Sequence, residues 1–483
     1  MRRIVSAVAL LAAALAATPP ARSADPARLE VAWITREPRL PPPNRQGAPV
    51  EEGWPEPGRT VQWVGHLFNR GAQPVAGVAY AWRIDGAVAE SGTVDLPPGE
   101  TTLWLPWRWT FDRHEIALAI APAAASGDAT TADDRVAVAS DALSIGFTIE
   151  RSIYDWMLQD GRPGFERWAQ GQIDNWNAIM ARAVFPTTPR GALDRFRLDR
   201  VLVIADGASL RNGDMDTDVW WTFWQGSDER FLHVGSSGPA LGDETIVFHE
   251  LLHQRGLIDL YAYRVVANDP AQTNGQINIV EDGKPVAGGP LMPALLQGSV
   301  GALFYRSPVD GLMGTQYRAS ANLTEHCAYG LNRVAGRRTP LWLDQWGNLI
   351  NGYSNTVQPE SYVWLLPRRT ELLLQDESGA PIAGASVQVY ADHGEQTYQK
   401  IYGPQADLAG SSDGQGVFVL PGTILDRLPP TTAPPKAQVI IVGVQTAAAH
   451  GYAFLPVYDL NLLAFRGGRE AAQKVLKVKL LPR

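Results

Sequence analysis

"IVFHELLHQRGLIDLY", residues 246–261, sets two histidines four apart around a glutamate and then runs into a glycine and an aspartate. On an α-helix, residues four apart stack on one face. His249 and His253 can therefore present imidazole nitrogens to a single ion, at about 2.0–2.1 Å if that ion is zinc. Glu250, beside the first histidine, can take a proton from a water in an open coordination position and later return it to a leaving group. The competing reading is an ordinary amphipathic helix. It would bury Ile246, Val247, Leu251 and Leu252 and leave His249, Glu250, His253 and Gln254 solvated. Periodicity fits both. The helix itself is well specified: Asp243 can cap it, Glu244 suits its first turn, and Gly256 can end it in the left-handed conformation.

Two features beyond the five-residue core separate these readings. A glycine turn lets the chain reverse, so Asp259 can return to the ion as an oxygen ligand, against a bland role as a turn-capping carboxylate. Further on, "DGLMGTQY", 310–317, places Met313 between Gly311 and Gly314. With the pattern His-Glu-x-x-His-x-x-Gly-x-x-Asp and this methionine turn, the chain resembles the metzincin clan of zinc peptidases. It is most similar to the snapalysin branch, in which aspartate stands where most members carry a third histidine. The resemblance implies one catalytic Zn2+ held by His249, His253 and Asp259, with Glu250 as general base and then proton donor. It also implies a Met-turn at Met313 beneath the site and a substrate extended along a sheet edge. "FLHVGSS", 231–237, is the candidate edge. Tyr317 stands four residues after the methionine rather than two, so the resemblance gives it no role.

Other residues compete for parts of the site. Glu325, in "NLTEHCAYGLNR", could supply the third ligand from a later helix, as in thermolysin-type enzymes, although the partner motif is absent. Tyr261 and Tyr263 could polarise a substrate carbonyl or simply pack in the core. His233 and His326 read as structural. The alternating Asp214, Asp216 and Asp218 of "NGDMDTDVW" could hold Ca2+, but the full loop pattern is missing and a solvated acidic loop is the plainer reading.

The chain has 483 residues, enough for about two to four domains. Its net charge of −8, without a Lys/Arg-rich block, argues against a nucleic-acid partner. "MRRIVSAVALLAAALAATPPARSA" has a basic start, an apolar stretch from Ile4 to Ala17 and small residues at Ala21 and Ser23. That is the layout of a secretory signal peptide over 1–24. The alternative is an uncleaved anchor, but the apolar stretch falls short of the roughly 18 residues of a membrane span. A lone Cys327 excludes an internal disulfide and fits an exported bacterial protein with a buried free thiol.

Residues 25–58 are rich in Pro, Arg and Glu and read as a linker of little regular structure. From 59 to 148, short alternating runs broken by turns indicate an antiparallel β-sandwich. The Asn69-Arg-Gly71 turn, the "AWRIDG" strand and the "LPPGE" turn at 96–100 resemble the CARDB family of immunoglobulin-like, adhesion-related bacterial domains. "GFERWAQGQIDNWNAIMARAV", 164–184, spaces Phe165, Trp168, Ile173, Trp176 and Ile179 along one face of a helix of about six turns. "LDRVLVIAD" follows as a buried strand, giving a metal domain over 149–345. A second linker is expected at 346–365. The tail, 366–483, is a further sandwich. "GAPIAGASVQVY" at 379–390 and a turn built on Asp413 and Gly416 resemble the carboxypeptidase-regulatory-like or transthyretin-like domain, with 428–437 as a long loop and "KVLKVKL" as the last strand.

The expected fold is thus multidomain: an α+β metzincin-like catalytic domain flanked by two all-β sandwiches. The expected function is an exported zinc endopeptidase acting on protein or peptide substrates, secreted, periplasmic or at the surface of a bacterium. The alternative is a non-catalytic surface or periplasmic adhesion or binding protein with a vestigial or structural metal site. Zinc hydrolysis of a non-peptide amide is a third possibility.

Overall fold

A computed structural model of the chain describes residues 29–39, 55–121, 134–159, 164–208, 217–223, 245–266, 276–281, 284–285, 303–314, 322–335, 341–343, 349–351, 362–392, 399–402, 405–424 and 438–482.

The first unit has seven strands: β1 (Leu29–Glu37), β2 (Thr60–Asn69), β3 (Val75–Ile84), β4 (Ala87–Leu96), β5 (Gly99–Arg108), β6 (Glu115–Ala121) and β7 (Asp134–Ala139). They form two antiparallel sheets, β1-β2-β5 and β4-β3-β6-β7, around a core in which Trp63, Trp82 and Trp109 are fully buried. The hairpin between β3 and β4 turns on Asp85 and Gly86, both at positive φ, which suits an Asp-Gly pair. Strand β1 corrects the expectation of a linker over 25–58. Its "LEVAWITRE" is almost wholly buried, Glu30, Thr35 and Arg36 included, and the run of prolines comes after it. β1 also serves two cores at once: Val31 and Ile34 pack into the sandwich, while Ala32 and Trp33 pack into the core of the next unit.

That next unit opens with β8 (Leu143–Glu150), so its boundary lies before 149. Helices α1 (Arg151–Met157) and α2 (Phe165–Arg182) lead to β9 (Phe196–Ile204) and β10 (Val219–Phe223). β8 is the middle strand of a parallel sheet, β10-β8-β9, and every one of its residues is buried, as a strand covered on both faces requires. Helix α2 has 18 residues, five turns rather than six, because Gly164 at positive φ precedes it and the chain turns away after Arg182. Helix α3 (Thr245–Gln254) packs behind it, with Phe248 stacked on Trp176 at 5.2 Å. Then come β11 (Arg264–Val266), β12 (Gln276–Glu281), β13 (Lys284–Pro285), β14 (Leu303–Arg306), α4 (Glu325–Val334), β15 (Leu341–Leu343) and β16 (Leu349–Asn351).

The tail contains β17 (Arg369–Gln375), β18 (Ser386–Tyr390), β19 (Gln399–Tyr402), β20 (Leu408–Ser411), β21 (Val417–Pro421), β22 (Val439–Gln445), β23 (Ala449–Pro456), α5 (Val457–Phe465), β24 (Ala472–Lys477) and β25 (Lys479–Pro482). Two sheets result, β21-β17-β24 and β20-β18-β22-β23-β25. The expected single last strand is two. Val478, fully buried, donates its N–H to Gln375 and turns the chain from one sheet to the other. The Asp413 turn forms as read: its carboxylate accepts the N–H groups of Gln415 and Val417, and Gly416 takes φ +77°.

The expected linker at 346–365 holds β16 and a 3-10 turn, Tyr362–Trp364, in which Tyr362 and Val363 are buried. This segment belongs to the interior, because the second unit and the tail sandwich share one continuous apolar core. β19 also pairs in parallel with β12 across the two units. Among the described residues no helix is long and apolar enough to cross a membrane.

Candidate metal centre

Helix α3 ends in a Schellman arrangement. Gly256 sits at φ +93°, its N–H bonds to the His253 carbonyl, and the Leu257 N–H reaches back to Leu252. The reversal carries Asp259 back toward the helix. Asp259 Oδ1 lies 3.1 Å from His249 Nε2 and 3.2 Å from His253 Nε2, and the two Nε2 atoms are 3.1 Å apart.

The hydrogen-bond partners of the rings fix what these atoms are. His249 Nδ1 donates to the Leu312 carbonyl at 2.8 Å, and His253 Nδ1 donates to the Leu257 carbonyl at 2.8 Å. A carbonyl can only accept, so both neutral rings carry their proton on Nδ1 and turn a lone pair inward. Two lone pairs and a carboxylate oxygen thus converge with no donor among them. Only a proton or a cation at their centre makes that arrangement favourable. Burial disfavours charge on His253 and on Asp259, yet their mutual contact wins. His253 is pushed up to about 9, and Asp259 is held well below the usual carboxylate range by His249 and His253.

The donor set fits zinc. A tetrahedral ion with ligands at about 2.0–2.1 Å needs donors roughly 3.3 Å apart, close to the separations found. Both histidines also have the backbone-carbonyl partner that orients metal-ligating imidazoles.

The "DGLMGTQY" turn organises the floor of the site through its backbone. The Gly314 N–H bonds to Gly311, and Gly311 takes φ +117°. Leu312 O accepts from the His249 ring, and the next carbonyl, that of Met313, accepts the Leu260 N–H at 2.7 Å, one residue after Asp259. Consecutive carbonyls therefore hold the segments that carry His249 and Asp259. The Met313 side chain is fully buried. Tyr317 and the 231–237 edge lie outside the described residues, as do Asp243, Glu244, His233 and the 428–437 loop.

Of the four residues that the amphipathic reading leaves solvated, Glu250, His253 and Gln254 are partly exposed and His249 is not. His249 is 2% exposed, and Gln254 pairs its amide with both backbone groups of Trp220, locking α3 onto β10. Glu325 is not at the centre. Its carboxylate is engaged by Arg466 and by Thr187 Oγ1, which ties α4 to α5. Tyr263 is fully buried, whereas Tyr261 stacks on the His249 ring with centroids 6.2 Å apart. His326 and Cys327 are fully buried. Of the acidic loop, Asp214 and Asp216 lie outside the described residues. Asp218 is buried, its carboxylate accepting the Ser144 N–H and hydroxyl, so it is a strut between β10 and β8 rather than an open calcium ligand.

Sequence reasoning missed Arg255. It is buried at the end of α3, pairs with Asp194 at 2.9 Å and donates to the Val334 carbonyl. An arginine two residues after His253 looks like surface charge in a periodicity reading. Its position at the C-terminal end of the helix, where a cation suits the dipole, was the available signal.

No known protein family matches the chain, and no curated protein matches it. Over 23% of its length it is similar to the CARDB domain of a Pyrococcus furiosus protein solved in complex with di-metal ions, at 16% identity over 90% of that domain, with a TM-score of 0.18. The same share is similar to a domain, residues 272–376, of a Methanosarcina acetivorans protein assigned to the cell surface, at 13% identity over 88% of it, TM-score 0.15. A β-glucuronidase of Bacteroides uniformis aligns with 92% of this chain and 61% of its own at 8% identity, TM-score 0.18. These likenesses carry no argument about chemistry.

Proposed function

We propose that the protein is an exported zinc-dependent endopeptidase whose middle unit is a metzincin-like metal domain between two accessory sandwiches. One observation carries the reading: the Nε2 atoms of His249 and His253 and the Asp259 carboxylate converge within 3.2 Å with both Nδ1 protons committed elsewhere. Zinc bound there would supply Lewis acidity, polarising a carbonyl and acidifying a water near neutral pH. Glu250, next to His249 and partly exposed, would take the proton from the attacking water and return it to the leaving amine. His253, with a quarter of its side chain exposed, lies toward the open side, while the buried His249 anchors the inner one. Export is inferred from the layout of residues 1–24, and the accessory resemblances, CARDB-like and transthyretin-like, suit a surface or extracellular setting.

The second reading, a structural ion in a binding protein, draws on the burial of His249 and Asp259. Purified Glu250→Gln separates the two. On the endopeptidase reading it retains stoichiometric zinc and loses casein cleavage by about 10²–10⁴-fold. Unchanged cleavage, or none in the wild type, favours the structural ion.

A further inference from the structure

The third ligand is held from outside its own unit. Ile258, the residue before Asp259, donates its N–H to the hydroxyl of Tyr362 at 3.2 Å, a buried contact across a long span of chain. Tyr362 is 2% exposed and sits in the 3-10 turn ahead of the tail sandwich. That turn is fixed in turn by Asn461 of α5, whose side-chain amide donates to the carbonyls of Val363 and Leu365, each at 3.0 Å. The Tyr362 ring packs on His326 at 4.8 Å, and it reaches α4 over Gly330, where a Cβ would come within 3.1 Å of the ring and 3.0 Å of Leu257. The glycine admits both the tyrosine and the residue that accepts the His253 proton.

We propose that Tyr362 is a positioning residue for the metal centre, the link through which the tail sandwich holds the Asp259 loop in register with His249 and His253. The proposal rests on the metal reading above. Its physical basis is simple. Asp259 is delivered by a short loop, and a ligand on a loop binds only as well as its backbone is fixed. The Met313 carbonyl pins the residue after Asp259, and the Tyr362 hydroxyl pins the residue before it. The tail unit is then part of the metal site's scaffold rather than a detachable module.

The test compares the full chain with Tyr362→Phe, which removes only the hydroxyl, and with Tyr458→Phe. Tyr458 packs on His326 and Tyr263 in the same aromatic cluster, and its hydroxyl is not the one bonded to Ile258. Zinc affinity is read by chelator competition, ligand geometry by the visible spectrum of the cobalt form, and folding by circular dichroism. Tyr362→Phe is expected to weaken zinc by about tenfold or more and to shift the cobalt bands, as loss of an outer-sphere partner does. Tyr458→Phe should do neither. Wild-type affinity in Tyr362→Phe, or equal weakening in Tyr458→Phe, overturns the positioning role while leaving the metal reading intact. A wild-type chain that binds no zinc overturns the metal reading and this proposal with it. Should Tyr362→Phe not fold, Asn461→Ala reads the same link by releasing the Val363 and Leu365 carbonyls that hold the Tyr362 turn, with the same expected loss, and wild-type affinity there overturns the positioning role.

Discussion

His249 and Asp259 meet at 3.1 Å, Nε2 against Oδ1, although one lies inside a helix and the other beyond its end. The connection is one left-handed glycine and a short reversal pinned at the Met313 carbonyl.

Asp259→Ala should cost more than the roughly 10–100-fold in metal affinity typical of outer-sphere losses, because it removes a donor outright. Glu325→Gln should leave affinity unchanged, since that carboxylate serves Arg466 and Thr187. Calorimetric zinc titration of both variants checks this. The reverse ranking would restore Glu325 as third ligand.

The convergence of His249, His253 and Asp259 was legible in the sequence, because helical spacing and a glycine turn are local rules. The Asp413-Gly416 turn was legible for the same reason, whereas Asp85 and Gly86, read as part of a strand, form the β3–β4 turn. What escaped was long-range. β1 was hidden by averaging composition across the prolines that follow it, and only the fold shows that its two faces serve two cores. Arg255 with Asp194, and Tyr362 with Ile258, join residues far apart in the chain, and no periodicity encodes such pairs. The split at Val478 is likewise decided by two sheets competing for one strand.

Zinc bound by His249, His253 and Asp259 would compete with a proton for the same atoms. His253 is raised to about 9 in the metal-free protein, with burial opposing the rise and Asp259 driving it. Its contribution to metal-free stability is therefore fully present below the unfolded value of about 6.5 and is lost as pH rises through about 9. Apparent zinc affinity should strengthen as pH rises from about 6.5 to 9 and then level off. Chelator competition across that window measures it, and a flat profile would exclude proton competition at this histidine.

His326 should make the fold acid-sensitive. Burial pushes it down to about 4, only partly offset by the bond from its Nε2 to Asn461. A depressed histidine binds fewer protons folded than unfolded, so stability is complete above about 6.5 and is lost as pH falls toward 4, on the order of 3 kcal/mol in all. Denaturant unfolding between those values should show this slope in the wild type and a flatter one in His326→Gln. Equal slopes would place the acid sensitivity elsewhere.

Removing Asp194 leaves the Arg255 guanidinium buried without its carboxylate. Asp194→Ala should destabilise by about 3–5 kcal/mol, and the paired change Asp194→Leu with Arg255→Met should recover much of that. The single variants Asp194→Leu and Arg255→Met, with their double, form a cycle readable by urea unfolding. Purely additive losses would mean the pair is not coupled.

The turn beneath the site acts through backbone groups, so its methionine and its glycine should differ in what they tolerate. Met313→Leu keeps the buried volume and both carbonyl contacts, and should cost less than about 1.5 kcal/mol with zinc affinity near wild type. Gly314→Ala is different, because a Cβ there would come within 2.4 Å of the Val309 carbonyl and 2.8 Å of the Asp310 carbonyl carbon. The turn must then shift, and with it the carbonyls that orient the His249 ring and tether Leu260. Zinc affinity of Gly314→Ala should fall by at least about tenfold, as for loss of an outer-sphere partner. Thermal unfolding with and without zinc distinguishes the variants: Met313→Leu should keep the zinc-induced rise in Tm, and Gly314→Ala should lose most of it. If the methionine variant is the more damaging one, the side chain rather than the backbone governs the floor of the site.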